Sequence, residues 1–265
     1  MTHTPLPGFT PPRFQSLRTI LALMLREMST TYGRSPGGYL WVVLEPVAAI
    51  ALLSLAFSLM LRAPSLGTSF LLFYATGFLP FGLYGSVSGK LTNALKFSRS
   101  LLAYPRVTWI DALLARFTLT LLTEVTVFCI VISGVLSFDD TRAVISIGPI
   151  LTAIGMAAAI GGGVGLMNCL LTGLYPVWAR IWGILSRPMF IASGVFFLYE
   201  DMPKVAQDIL WWNPVLHAVG EMRRGFYPTY EASYVSLTYG YGVGGVLALL
   251  ALMLLRRHHK RILEN

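Results

Sequence analysis

The chain has 265 residues, of which 55% are hydrophobic and only 12% charged, with a formal net charge of +8. Soluble domains average about 25% charged residues, so this composition excludes an ordinary water-soluble enzyme and predicts an all-α polytopic membrane protein. The two cysteines, Cys129 and Cys169, exclude a disulfide framework and a Cys-rich zinc site; both lie in apolar runs and read as small core residues.

Residues 1–38 form a mixed, basic N-terminal region with no visible cleavable signal peptide. Within 14–28, Phe14, Leu17, Ile20, Leu21, Met24, Leu25 and Met28 recur at helical spacing among polar residues. That pattern predicts an amphipathic helix in the membrane interface, either a simple anchor or a lever that touches a partner.

A bilayer core of about 30 Å needs about 20 apolar residues per helix. Six such runs occur, at roughly 39–61, 68–88, 110–136, 145–171, 177–198 and 236–255, leaving 256–265 as a tail. The first run opens on Gly38-Tyr39-Leu40-Trp41 and contains Glu45-Pro46. A carboxylate and a proline at membrane depth are both costly, which marks this entry as functional. Lys and Arg gather in the N-terminal region, the loop after the second run and the tail, whereas the third outer segment is rich in acids. This asymmetry places both termini in the cytoplasm and explains the positive charge without nucleic acid.

The loop 90–108 interleaves Leu91, Leu95, Leu101 and Leu102 with basic residues and ends at Pro105. It predicts a short amphipathic helix that docks a partner or lies on anionic lipid. In the segment 199–235, an apolar piece at 205–212 and another at 215–224 are split by Asn213-Pro214. Two short helices that dip into the outer leaflet and lean on the spans fit better than one loop, with Trp211, Trp212, Phe226, Tyr227 and Tyr230 at the interface.

Several motifs fail on inspection. Gly240-Tyr-Gly242-Val-Gly244-Gly245 has dinucleotide-site spacing but opens a membrane span, so close helix packing is expected there, as for Gly161, Gly162, Gly163 and Gly165. Gly85-Ser-Val-Ser-Gly89-Lys90-Leu91 approaches a phosphate loop but is one residue short and lacks the final Ser or Thr. No ATP site, metal cluster or catalytic triad is expected, so the chain by itself does not read as an enzyme. Four charges fall within runs: Glu45, Arg116, Glu124 and Arg187. They predict either a structural ion pair, such as Arg187 with a glutamate, or the lining of a polar path; Arg116 is near enough to its span end to snorkel.

Arg26-Glu27, Thr31-Tyr32-Gly33, Gly38-Tyr39-Leu40-Trp41 and Leu44-Glu45-Pro46 resemble the opening of type-2 ABC exporter permeases, in particular the polysaccharide-export branch and its capsular group-2 members. Trp212-Asn213-Pro214, His217, Glu221 and Arg224 resemble the block that this family carries before its last span, and Tyr104-Pro105-Arg106-Val107 and Arg187-Pro188 fall where capsular permeases have similar residues. The similarity runs over nearly the whole chain, as one transmembrane domain across 1–265.

The resemblance implies a homodimer of six-span permeases in the bacterial inner membrane, with two copies of a separate ATPase subunit that holds ATP and Mg. It implies a lipid-linked polysaccharide substrate, an inner-membrane copolymerase and an outer-membrane export channel. Arg26, Glu27, Lys90, Lys96, Arg99, Tyr104, Pro105 and Arg106 would then lie on the ATPase-coupling side. Trp212, Asn213, Pro214, His217, Glu221 and Arg224 would form an outer gate. Path candidates are Tyr39, Phe81, Tyr84, Arg116, Glu124 and Arg187, with Trp41, Phe78 and Phe190 as further aromatic rails, because the apolar C–H faces of sugars stack on rings. O-antigen, teichoic acid or a drug as cargo, and an ion-driven transporter, remain alternatives at this stage; no internal repeat supports the last.

Overall fold

The structure, a computed structural model, describes residues 15–32, 37–102, 107–139 and 143–264. Among them run eleven α-helices: α1 (Gln15–Tyr32), α2 (Gly38–Ser58), α3 (Phe70–Thr92), α4 (Ala94–Phe97), α5 (Arg99–Leu102), α6 (Trp109–Phe138), α7 (Ile147–Leu174), α8 (Val177–Ala192), α9 (Lys204–Leu210), α10 (Pro214–Arg224) and α11 (Leu237–Glu264). Five of them, α2, α3, α6, α7 and α11, are long and apolar enough to cross a membrane.

Helix ends follow local chemistry. Ser69 caps α3 by accepting from the Leu72 amide at 3.1 Å and also donates to Asp139, which ties the starts and ends of neighbouring helices together. Thr108 and Asp111 form a reciprocal capping box at the start of α6, with bonds of 3.1 and 3.2 Å.

The expected runs differ from the helices in informative ways. α3 continues through Thr92 and α11 through Glu264, so Lys90 and most of the expected tail are helical. Polar residues at a helix end beyond the hydrocarbon cost nothing to keep helical, and hydropathy alone misses them. The loop after α3 folds into two single turns, α4 and α5, with Ala94 and Leu95 fully buried and Lys96, Phe97 and Arg99 exposed. The expected span 177–198 is a 16-residue helix that stops at Ala192. At about 1.5 Å per residue it covers some 24 Å. Just beyond its end Gly194 turns at φ 73°, a left-handed conformation that favours glycine.

α7 is the centre of the bundle, packed between α3 and α11, with α10 closing one end. Glycines set these approaches. A Cβ at Gly161 or Gly165 would lie 2.8 Å from the Tyr84 or Ser88 carbonyl oxygen of α3, and one at Gly163 would lie 2.4 Å from the Gly244 carbonyl oxygen of α11. Backbones in contact through small residues are the expected geometry where lipid supplies no hydrophobic drive. Gly240 and Gly244 thus pack as expected, while Gly242 and Gly245 face open space. Cys169 is buried as expected; Cys129 is instead exposed on α6, because an apolar solvent lets a small sulfur side chain face outward at no cost.

Several helices leave apolar surface uncovered, α6 and α11 among them through residues such as Leu122, Ile130, Val246 and Leu249. α8 has no buried residue, and α2 exposes Leu40, Trp41, Leu52 and Leu55. Where α6 begins, Trp109 stacks on His259 of α11 with ring centroids 5.5 Å apart.

Candidate functional site

One face of α3 is nearly bare. Gly82, Gly85 and Gly89 fall together at helical spacing, and a Cβ at any of them would meet no atom within 4 Å. These glycines are not packing contacts, unlike those of α7. Two hollows open beside this bare face.

The first, of about 510 Å³, lies between α2, α3 and α6. Gly38, Trp41, Glu45 and Pro46 line it from α2; Phe78, Gly82, Ser86 and Lys90 from α3; Glu124 from α6. Pro46 has no N–H, so the Val42 carbonyl four residues earlier lacks its helical donor, and Val42 also lines the hollow. Two carboxylates, an ammonium and a freed carbonyl in one recess are affordable only if water or a polar ligand reaches them. Glu45, Pro46 and Glu124, separated by nearly eighty residues in the chain, thus meet. Tyr39 sits in the first turn of α2, with its ring outside the described set.

The second hollow, of about 360 Å³, lies between α3 and α8. Phe81, Tyr84, Gly85, Ser88 and Gly89 face Trp182, Ser186, Arg187 and Phe190. Among the described residues the ion pairs are Arg116–Glu27 and Arg224–Glu221, so the expected Arg187–glutamate pair is not formed. Arg187 is exposed and lines the groove. Aromatic rings continue from this groove. Tyr84 neighbours Phe81 at 5.7 Å, Phe81 neighbours Phe190 at 4.9 Å, and Phe190 neighbours Phe196 at 5.0 Å. Phe196 then reaches Phe57 at 6.0 Å, Phe57 reaches Tyr74 at 5.2 Å, and Tyr74 reaches Phe73 at 5.3 Å. The ladder therefore runs from the middle of α3 to the end of the bundle that holds α10, and its middle rungs stay partly accessible.

At that end the short helices are tightly tied. Asn213 caps α10 through its side-chain oxygen, which accepts from the Val215 amide, and its amide donates to the Ala192 carbonyl and the Ser193 hydroxyl, each at 3.1 Å. The segment is thereby pinned to the end of α8. The Ser236 amide donates to His217 Nδ1 at 3.1 Å, so Nε2 carries the hydrogen and donates to the Trp211 carbonyl at 2.9 Å. Glu221 is buried, accepting from Arg224 at 2.8 Å and from Thr152 of α7 at 3.2 Å. Trp212 is exposed, and Pro214 occupies the first turn, where its missing N–H costs nothing.

The sequence reading missed Arg223. It is 1% exposed, donates to the Phe197 carbonyl at 3.0 Å and the Val195 carbonyl at 3.3 Å, and stacks over the Phe73 ring at 4.3 Å. A signal existed: Arg223 falls on the apolar stripe of α10 with Leu216 and Val219. Arg223→Leu is expected to orphan both carbonyls and loosen the turn after α8. At roughly 1–3 kcal/mol per unsatisfied buried acceptor, the variant should unfold at a clearly lower temperature in detergent and be cut by protease near residue 195.

At the opposite end, Arg26, Lys96 and Arg99 are exposed, while Tyr104, Pro105 and Arg106 lie outside the described residues. Lys90 faces the first hollow instead of the loop. Arg116 does not line either hollow: it is buried against Glu27 at 2.8 Å. Glu27 is correspondingly turned into the bundle.

Residues 18–227 match the ABC-2 type transporter family. This chain belongs to that family. The ABC-2 match covers both hollows, the bare face of α3 and the whole of α10. Similar proteins include the polysialic acid transport protein KpsM of Escherichia coli, 28% identical over 221 residues, covering 83% of this chain and 86% of that one. The capsule polysaccharide export inner-membrane protein BexB of Haemophilus influenzae is 28% identical over 236 residues, covering 89% and 88%. CtrC of Neisseria meningitidis, described in the same words, is 27% identical over 250 residues, covering 92% of each chain. ABC-2 membership favours an ATP-driven permease over the ion-driven alternative.

Proposed function

We propose that this chain is the membrane subunit of an ATP-driven exporter that moves lipid-linked, anionic capsular polysaccharide across the bacterial inner membrane. The observation that carries this reading is the bare face of α3, running between a charged recess and an aromatic ladder. A polymer that must slide needs a surface free of side chains that would snag it, rings on which sugar C–H faces stack, and a cation that attracts its acid groups without holding them. Gly82, Gly85 and Gly89 supply the first, the Phe81–Phe190 ladder the second and Arg187 the third. The near full-length likeness to proteins named for capsule export supports the same cargo.

ATP and Mg bind a separate ATPase, present in two copies, which docks on α1 and on the α4–α5 turn; this chain performs no chemistry itself. The uncovered apolar faces of α2 and α8 meet a second copy, so that the hollows close into a path between protomers. The basic end of the bundle, with both termini, faces the cytoplasm, and α9 and α10 form the gate on the far side. A copolymerase and an outer-membrane channel carry the glycan onward.

Removing the gene tests the reading. Capsular polymer should then accumulate inside the cell and disappear from its surface; an unchanged surface polymer, with O-antigen, teichoic acid or a drug retained instead, would reassign the cargo. Arg187→Ala probes the cation separately. Because Arg187 is exposed and in no ion pair, assembly should persist. Losing a contact of about 1 kcal/mol in a wet groove should lower export roughly fivefold, read as surface polymer per assembled permease. Export at the wild-type rate would remove Arg187 from the path.

A further inference from the structure

α1 is mostly exposed, yet Glu27, its one acidic residue, is only 8% exposed. The carboxylate accepts from Arg116 Nε of α6 at 2.8 Å, across 89 residues of sequence. The same guanidinium lies 4.1 Å from the centre of the Phe97 ring in α4. One buried arginine therefore joins three elements: the interface helix, the turn after α3, and a spanning helix.

Stability alone does not account for this junction. Burying an ion pair removes two charges from water, and well-packed apolar residues of similar volume commonly hold a site equally well or better. What an ion pair with a ring beneath it adds is direction. Hydrogen bonding and cation–ring stacking fix where α1 and α4 sit relative to α6, whereas apolar contact is non-directional and lets them slide. Glu124, in the first hollow, lies eight residues beyond Arg116 on α6, about 12 Å along the same helix. A push on α1 or α4 thus reaches the hollow through one rigid element.

We propose that Glu27, Arg116 and Phe97 form a coupling clasp. They are positioning residues that pass the ATPase's movement from α1 and α4 to α6 and the hollow it lines. The proposal rests on the reading above, that the ATPase docks on α1 and the α4–α5 turn. The clasp does not bind ATP or glycan. Its loss should separate ATP hydrolysis from export, with no change in either binding event.

The test compares two variants with the wild-type permease, each purified with its ATPase and also expressed in cells lacking the native gene. Glu27→Leu combined with Arg116→Met keeps the packing and removes the direction. Phe97→Leu, at a ring that is 42% exposed, leaves the ion pair and the fold in place. Expected for the double variant is an unchanged complex with ATP hydrolysis within about twofold of wild type. Its surface polymer per ATP hydrolysed should fall about tenfold, a size typical of coupling between sites. Phe97→Leu should lower the same ratio roughly threefold. If both variants keep the wild-type ratio, the clasp is merely structural and the proposal is overturned. Should the double variant fail to fold, Phe97→Leu decides alone. If the wild-type chain itself neither binds an ATPase nor exports with ATP, it is the underlying reading that fails.

Discussion

Gly244→Leu is expected to abolish recovery of folded protein, whereas Gly242→Leu, two residues earlier on α11, should leave it unchanged. At Gly244 a Cβ would lie 2.6 Å from the Ala159 carbonyl carbon and 2.8 Å from the Ile160 amide nitrogen of α7. These are backbone atoms, which cannot rotate away. α7 and α11 would have to separate, and the close approach at Gly163, where an added Cβ would lie 2.4 Å from the Gly244 carbonyl oxygen, would be lost as well. Overpacking a well-fitted contact costs about 1–3 kcal/mol, and here the dispersion energy of the most extensive helix pair in the bundle is lost in addition. A Cβ at Gly242 meets nothing. Size-exclusion profiles and melting temperatures in detergent read the difference. A Gly244→Leu variant as monodisperse and as heat-stable as wild type would refute the close α7–α11 packing.

The second large effect concerns function without folding. Gly85→Trp should assemble normally and export almost nothing. Its Cβ projects into open space, and tryptophan is a better helix former than glycine, so α3 should tolerate it. The indole would fill much of the groove between Phe81, Arg187 and Phe190. A barrier raised by only about 3 kcal/mol slows passage by roughly a hundredfold. Gly85→Ala, which adds one methyl to the same space, should export normally. The check is surface polymer alongside the amount of permease–ATPase complex recovered from the same cells. Wild-type export by Gly85→Trp would mean that this face of α3 touches lipid and not cargo.

Why glycine is needed at Gly244 and at Gly85 differs, and the sequence does not distinguish the two cases. The sequence predicts close packing alike for Gly242, Gly244 and Gly245, of which Gly244 alone packs, and offers for Gly85 only an incomplete phosphate-loop pattern. Only the three-dimensional neighbours separate a glycine that admits a backbone from one that keeps a surface clear. The helices themselves were far more legible. Hydropathy located the start of each of the five long apolar helices to within about two residues, although α11 runs nine residues past its expected end, and the Asn213-Pro214 break correctly divided α9 from α10, because a cap followed by proline is a local signal. The fifth run misled, since its apolar composition continues past Gly194 while the backbone turns there. Long-range charge pairing was beyond the sequence. Nothing local indicates that Arg116 meets Glu27, and Arg223 appeared as one of two adjacent arginines although it alone is buried.

The most direct measurement reconstitutes this chain with its ATPase in vesicles and follows lipid-linked capsular glycan into the compartment opposite the ATPase. A complex of two permeases and two ATPases, with glycan becoming protected from added glycosidase only when ATP is hydrolysed, is the predicted result. Absence of a stable ATPase complex, or glycan movement that proceeds equally without ATP, would contradict it.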